Sequence, residues 1–181
     1  MKRLMILLLL VVLVAGCTQT TSEPVHDIEF GDRTLHFRAD LNEANKVPVI
    51  PDENELFLLL ANPFVEKMRI YFIPSEMNGY YSVAGYEMTY KLVTIHKSLN
   101  GKVIQIEAVP INSTDEITAS EIEPAIFMKM PANNTAVIVE ENNYIVNVFG
   151  NSTLEDKTYS GLDLAADKLL LSIFSKLETK G

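Results

Sequence analysis

Several residue types are scarce in this 181-residue chain, which has one cysteine, no tryptophan and eight scattered glycines. With Cys17 as the only thiol, an intramolecular disulfide and a thiolate metal cluster are both excluded. There is no phosphate-binding glycine loop, dinucleotide fingerprint, nucleophile elbow or His-Glu-x-x-His zinc motif. No catalytic residue is therefore assigned, although a constellation built from distant residues stays open.

Histidine and basic residues are also few. His26, His36 and His96 lie far apart and lack the spacing of a zinc site, so we expect no metal and no other cofactor. The formal charge is −9, and loss of Lys2 and Arg3 with a leader leaves 13 of the 15 basic side chains against 24 acidic ones, or −11. Such a charge repels nucleic acid and anionic lipid, so we expect no nucleic-acid partner.

The first 16 residues have the order of parts found in a signal peptide. Lys2 and Arg3 precede an apolar run over 4–14, and the small residues Ala15 and Gly16 follow it. The run is shorter than the roughly 20 residues that a membrane helix needs, and no second apolar run follows. We therefore predict export with removal of residues 1–16.

The end of this segment, Val14-Ala15-Gly16-Cys17, resembles the lipobox of prokaryotic lipoproteins. The resemblance implies cleavage between Gly16 and Cys17 and a diacylglyceryl thioether on Cys17. An uncleaved signal anchor with an incidental cysteine is the alternative. Residues 18–24 are polar and read as a linker of at most about 25 Å, so the exported domain, 25–181, is expected at the external face of the cell membrane.

Patterns of strand type recur along the exported part. Alternating or continuous apolar runs predict strands at 28–30, 35–37, 64–74, 103–109, 125–130, 136–140 and 144–149. The last pair is predicted to be a hairpin, and the first pair a hairpin or an edge strand. Pro48 and Pro51 are expected to exclude regular structure between them.

Helical patterns flank and interrupt these strands. Asp52 and Glu55 form a capping-box pattern before a short helix, and Ser160 with Asp163 does so before a long C-terminal one. Segment 80–100 fits a helix or an alternating strand; helix is favoured because parallel strands need a crossover. The sequence thus predicts an α/β or α+β domain, with a mixed sheet of five to six strands and two to three packed helices.

Candidate surface features are few. Three Asn-x-Ser/Thr sequons fall in predicted loops and mark Asn112, Asn133 and Asn151 as candidate glycan acceptors. Five tyrosines could line a sugar- or peptide-binding surface, but a structural role is favoured for this set: Tyr71, Tyr80, Tyr81, Tyr86 and Tyr90. Asp167, one turn after Asp163, is interpreted as part of a solvated helix face, and Glu121 and Glu123 are not assigned a catalytic role.

Short segments across the exported part carry a second resemblance. They are Phe37-Arg38-Ala39-Asp40-Leu41, Val47-Pro48-Val49, Asn62-Pro63, Ile70-Tyr71-Phe72-Ile73-Pro74, Ala84-Gly85-Tyr86-Glu87, Tyr90-Lys91-Leu92 and the run 162–171. Together these segments resemble uncharacterised exported lipoproteins of archaea. The resemblance implies an archaeal cell surface, where lipidation and sequon glycosylation both occur, and it brings no activity and no site residues.

Two functions of different class follow as hypotheses. The first is a non-enzymatic interaction module that binds a protein or an envelope component at the outer membrane surface. The second is a solute- or ligand-binding lipoprotein with a cleft near 74–81 or 110–123. An enzyme is the least expected class.

Overall fold

The computed structural model describes residues 26–30, 33–151 and 158–178. The predicted cleavage site at Gly16 and the predicted lipid attachment at Cys17 lie outside these residues. So do the linker over 18–24 and the second and third positions of the Asn151 sequon.

In the described part of the chain, eight strands form two sheets. The first sheet is a hairpin of β1 (Asp27–Phe30) and β2 (Arg33–His36), one of the two alternatives that the sequence left open. The second has six strands in the order β3-β7-β8-β6-β4-β5. Its members are β3 (Val49–Ile50), β4 (Lys67–Phe72), β5 (Gln105–Pro110), β6 (Ala125–Lys129), β7 (Ala136–Glu140) and β8 (Ile145–Phe149).

The six-stranded sheet is mostly parallel. Strands β8, β6, β4 and β5 run in one direction, and only the β7–β8 hairpin is antiparallel. After β6 the chain forms β7 one strand position away from β6. It then turns back as β8, which lies between β6 and β7. The fold is therefore α/β with a mixed sheet, which confirms the predicted fold class.

Four helices are described: α1 (Leu41–Ala44), α2 (Glu53–Leu60), α3 (Asn78–Asn100) and α4 (Gly161–Glu178). The C-terminal helix α4 contacts each of the other three as well as β7 and β8. The main core lies between these helices and one face of the sheet, with Leu92, Ile126 and Leu170 fully buried within it. None of the described helices is both long and apolar enough to cross a membrane.

Segment 78–100 is a single helix, so the favoured helical interpretation is confirmed. Its buried positions include Tyr81, Ala84, Met88 and Ile95, which recur at the helical period and face the sheet. The helix ends at Gly101, which has a left-handed φ of 65° and donates its N–H to the Lys97 carbonyl. The Asn100-Gly101 pair thus acts as a helix C-cap and not as a hairpin turn.

One prediction about the segment before α2 is wrong. Between Pro48 and Pro51, Val49 and Ile50 form the short edge strand β3, parallel to β7, and the Val137 N–H donates to the Pro48 carbonyl. Proline lacks an N–H donor but still accepts hydrogen bonds, so it can flank a short edge strand. Helix α1, whose Asp40 cap accepts from the Asn42 N–H, was also not predicted.

The face of the sheet opposite the helices, here called the open face, is covered over only half of its width. The loop over 111–124 packs Ile111 and Ile117 onto Tyr71 and Phe127. The apolar side chains of this loop thus form a second small core with the sheet. The other half of the open face is formed by β7, β3 and the adjoining side of β8. Ile145 and Phe149 of β8 still pack against that core, whereas Ile50 in β3 is 48% exposed.

Candidate functional site

The uncovered half of the open face carries a cleft of about 650 Å³, here called the sheet cleft. It lies at the carboxyl ends of β6 and β8, beside the short edge strand β3. Ile50, Ile138 and Phe149 contribute its apolar surface. Lys129 and the loop over 131–135 contribute the rest of the wall together with Asn151.

The strand register explains why these side chains converge. Lys129 pairs with Phe149, and Phe149 pairs with Ala136, so these three residues form one row across the open face. Ile138 and Ile50 are partners in the next row of the same face. Because side chains alternate between faces along a strand, residues of both rows project away from the helices.

Lys129 differs from the other basic residues of the open face. Lys67 pairs with Glu107 at 2.5 Å and Arg69 with Glu123 at 2.8 Å, and the hydrogen bond from Lys67 lowers the pKa of Glu107. Lys129 is exposed and has no carboxylate partner among the described residues. The cleft therefore presents an ammonium group that no described carboxylate neutralises.

The rim of the cleft contains hydrogen-bonded polar side chains. The Thr135 hydroxyl donates to Asn151 Oδ1 at 2.9 Å and accepts from the Asn151 N–H at 3.2 Å. Asn133 and Asn134 are exposed on the same loop as Thr135. The structure thus brings two predicted glycan acceptors, Asn133 and Asn151, to one cleft.

Two glycines hold this rim against the start of α4. A Cβ atom on Gly150 would lie 2.3 Å from the Leu162 nitrogen, and one on Gly161 would lie 2.6 Å from Asn151 Oδ1. At Gly150 a larger residue would force the backbone to move, whereas at Gly161 it would displace the Asn151 and Thr135 side chains. The rim residues Thr135 and Asn151 therefore pack closely against the first turn of α4.

The lining determines which chemistry the cleft can perform. Its described residues provide one ammonium, one hydroxyl and three side-chain amides, and they include no carboxylate, imidazole or thiol. Glu140 lies outside the cleft, at the other end of β7, where it accepts hydrogen bonds from Asn143 and Asn147. These groups can bind a polar ligand and orient it.

The third predicted glycan acceptor, Asn112, lies apart from this cleft. It is exposed at the start of the 111–124 loop, on the covered half of the open face, and its N–H donates to Glu116 Oε1 at 3.0 Å. The structure therefore places one sequon alone and two together.

The five tyrosines divide into two groups. Tyr71 and Tyr81 are buried, whereas Tyr86 and Tyr90 are 71% and 51% exposed on the outer side of α3, and Tyr80 is partly exposed near its start. A structural role is thus confirmed for Tyr71 and Tyr81. The exposed pair does not contribute to the sheet cleft.

The sequence suggested a ligand cleft near 74–81, and the buried side chain of Tyr81 occupies this region. From β4 the chain crosses to β5 on one side, and from β6 it crosses to β7 on the other, so β4 and β6 border a topological switch point. There the Tyr81 hydroxyl donates to the Met130 carbonyl at 2.7 Å and accepts from the Met130 N–H at 3.0 Å. The other segment considered, 110–123, packs on the sheet as described above.

The prediction that Asp167 lies on a solvated helix face is wrong. Asp167 is 1% exposed and accepts a hydrogen bond from the Ala39 N–H at 2.8 Å. Burial raises its pKa from 3.8 to about 7, although the Ala39 N–H and the Lys91 charge both act to lower it. The Lys91 ammonium, also buried, pairs with Glu87 and lies 4.5 Å from the Phe37 ring centroid.

Asp163, by contrast, caps α4 as predicted. Its carboxylate accepts from the Ser160 N–H and hydroxyl, and the Ser160 hydroxyl accepts from the Asp163 N–H. Together, Asp163 and Asp167 join α4 to the segment that follows the β1–β2 hairpin, where Arg38 lies 3.7 Å from Asp163. These contacts therefore connect the C-terminal helix to the N-terminal part of the domain.

The histidines have separate surroundings. His36 Nδ1 lies 2.5 Å from Asp27 Oδ1 on the surface, and His26 Nδ1 lies 3.0 Å from the Ala39 carbonyl oxygen. His96 is buried with Nε2 at 2.7 Å from the Leu60 carbonyl oxygen, and burial lowers its pKa. In the described part of the chain, no group of three or more His, Cys, Asp or Glu side chains is arranged to hold a metal ion.

A second depression, here called the apolar groove, lies on the helical side of the molecule. It also measures about 650 Å³ and is lined mainly by apolar side chains such as Phe57, Leu58, Leu99 and Leu177. It lacks a charged side chain among its described lining residues. The sheet cleft is therefore the better candidate for recognition of a specific polar ligand.

The sheet cleft was not found from sequence. The one available signal was Lys129, the only charged residue in an otherwise buried strand of sequence AIFMK. Its neighbours come from β3, β7 and β8, whose pairing is not visible in local patterns. Comparisons of this chain with models of protein families, with curated proteins and with solved structures found no match.

Proposed function

We propose that this chain is an exported lipoprotein, attached to the external face of the cell membrane through Cys17, and that its domain binds an envelope component without catalysis. The supporting observation is the uncovered half of the open face. Antiparallel strands such as β7 and β8 can expose one face to water, but this face places the 48% exposed Ile50 and the apolar Ile138 and Phe149 beside Lys129. A binding partner would cover these side chains.

The location follows from the N-terminal sequence. The lipobox-like Val14-Ala15-Gly16-Cys17 supports a lipid anchor, and the linker over 18–24 limits the reach of the domain to about 25 Å from the membrane. Two acyl chains hold a protein stably, whereas one chain gives only reversible binding. We therefore expect the partner within the membrane-proximal layer of the envelope.

A solute- or ligand-binding lipoprotein is the alternative. The volume of the sheet cleft, about 650 Å³, lies within the range of roughly 300–1,000 Å³ that small-molecule sites occupy. The two functions differ in the state of the ligand. A transport receptor binds a free solute, whereas an interaction module binds material that stays in the envelope.

The anchor is tested by detergent phase partitioning of the full-length chain expressed in a prokaryote that lipidates proteins. We expect the wild type in the detergent phase and the Cys17→Ala variant in the aqueous phase. Recovery of both proteins in the same phase would contradict lipid attachment at this residue.

Binding is tested by co-sedimentation of the detergent-purified chain with insoluble envelope material. Ile50→Arg places a bulky charge at the cleft, and Tyr86→Ala alters an exposed residue of α3 on the other side of the sheet. We expect Ile50→Arg to abolish co-sedimentation with an unchanged circular dichroism spectrum, and Tyr86→Ala to retain it. Loss with Tyr86→Ala alone would place the binding surface on α3.

A further inference from the structure

We infer that the ligand of the sheet cleft is an acidic saccharide, whose carboxylate pairs with Lys129 and whose hydroxyls bond the asparagine amides. This inference rests on the proposed function and specifies the chemistry of its ligand. It depends on the composition of the cleft: one unpaired cation, several amides and an apolar surface.

The charge of the cleft favours a group with one negative charge. Lys129 is the only ionisable side chain among the described lining residues. The chain as a whole carries −9, but charges beyond about 8 Å are screened at physiological ionic strength. A single ammonium matches a carboxylate, whereas a phosphate dianion usually meets several donors or an arginine fork.

The amides favour a ligand that has many hydroxyl groups. Each asparagine side chain both donates and accepts, and so does each hydroxyl group. Asn133 and Asn134 supply two exposed amides at the rim, whereas the Asn151 side-chain oxygen already accepts a hydrogen bond from the Thr135 hydroxyl. Such a rim can bond successive hydroxyls of a sugar ring without a second charge.

The apolar surface complements the C–H face of a sugar ring. Phe149, Ile138 and Ile50 lie in adjacent rows of the open face below the rim. A ring that packs there with its C–H face can turn its hydroxyls and carboxylate toward the rim.

An extended peptide is the less favoured ligand at this edge. Peptides commonly bind a sheet by adding a strand to an edge, which requires a row of free N–H and C=O groups. Strand β3 has only two residues, and the flanking Pro48 and Pro51 have no N–H to donate. The edge is therefore poorly suited to strand addition.

The inference is tested by fluorescence anisotropy with an end-labelled trisaccharide of galacturonic acid and its uncharged methyl ester. The protein is the detergent-purified full-length chain from a host without N-glycosylation. We expect the acid to bind up to about fivefold more tightly than the ester, since an ion pair with an exposed ammonium accounts for at most about that factor. Lys129→Met should bind both forms equally, at the affinity of the ester.

Two further variants keep the test decisive. Lys97→Met removes an exposed lysine from α3, on the other side of the sheet, and should bind as the wild type does. Asn134→Ala should weaken acid and ester by the same factor, because it removes hydroxyl recognition and leaves Lys129 in place.

The outcomes separate this inference from the proposed function. Equal binding of acid and ester by the wild type would overturn the acidic-saccharide assignment. So would a Lys97→Met variant that loses as much affinity for the acid as Lys129→Met does. Tighter binding of a labelled triglutamate peptide than of the saccharide would also overturn it. If Ile50→Arg still abolishes envelope co-sedimentation in these cases, the proposed function stands and only the ligand class fails.

Discussion

Replacing the buried Asp167 with asparagine should stabilise the domain at neutral and alkaline pH. The pKa of Asp167 rises from 3.8 to about 7 because its carboxylate is buried between α4 and the segment around Ala39. Below pH 4 the carboxyl group is protonated in both states, and between pH 4 and 7 only the folded state holds the proton. Its contribution to stability is therefore complete at low pH and is lost as pH rises through about 7.

The size of the effect follows from the two pKa values. At 1.36 kcal/mol per pKa unit, a rise from 3.8 to about 7 corresponds to about 4 kcal/mol, which is an upper bound. Asparagine has the same shape as the protonated acid and can still accept from the Ala39 N–H. Asp167→Asn should thus equal the wild type near pH 4 and exceed it by up to about 4 kcal/mol at pH 8.

Urea denaturation of both proteins from pH 4 to pH 8 measures this difference. Taking the difference at each pH cancels the contribution of His96, whose lowered pKa acts in the opposite direction. Neighbouring charges at Glu87, Lys91 and Asp163 are the same in both proteins. The exposed Asp115→Asn variant is the control and should show no such trend. A pH-independent difference, or a less stable Asp167→Asn protein at pH 8, would refute the reasoning.

Three further predictions concern packing and modification. Tyr81→Phe removes both hydrogen bonds to the Met130 backbone and should lower the free energy of unfolding in urea by about 1–3 kcal/mol. A decrease of less than about 0.5 kcal/mol would contradict a stabilising role of these bonds. Gly150→Ala forces a Cβ against Leu162 and should cost about 1–3 kcal/mol in thermal denaturation. Its control, Gly79→Ala, meets open space and should be neutral or slightly stabilising. In a host that glycosylates sequons, glycopeptide mass spectrometry should find a glycan on the exposed Asn112 and none on Asn151, whose side chain packs against Thr135 and Gly161; occupancy at Asn151 would contradict this order.

Local patterns were sufficient for most elements of the fold. The Asp52 and Ser160 caps, the apolar periodicity of α4 and the β7–β8 hairpin all depend on residues close together in sequence. The choice between helix and strand for 80–100 needed a topological argument, because its apolar side chains fit both periods. Gly101 then ends the helix with the left-handed backbone that glycine favours.

Features that depend on distant pairing were missed. Strand β3 exists because β7 pairs with it across almost 90 residues, and two residues between prolines give no local strand signal. Asp167 was misplaced because its partner, the Ala39 N–H, comes from the other end of the domain. The sheet cleft requires the order of β3, β7, β8 and β6, which periodicity does not reveal.

Hydrogen–deuterium exchange tests the binding surface most directly. The detergent-purified full-length chain is compared with and without soluble fragments of envelope glycan. Binding at the sheet cleft predicts slower exchange in the loop over 131–135 and in β3 and β7, with no change in the exposed parts of α2 and α3. Protection confined to Leu58 and Leu99 in the apolar groove, or to Tyr86 and Tyr90, would contradict the assignment of the sheet cleft as the binding site.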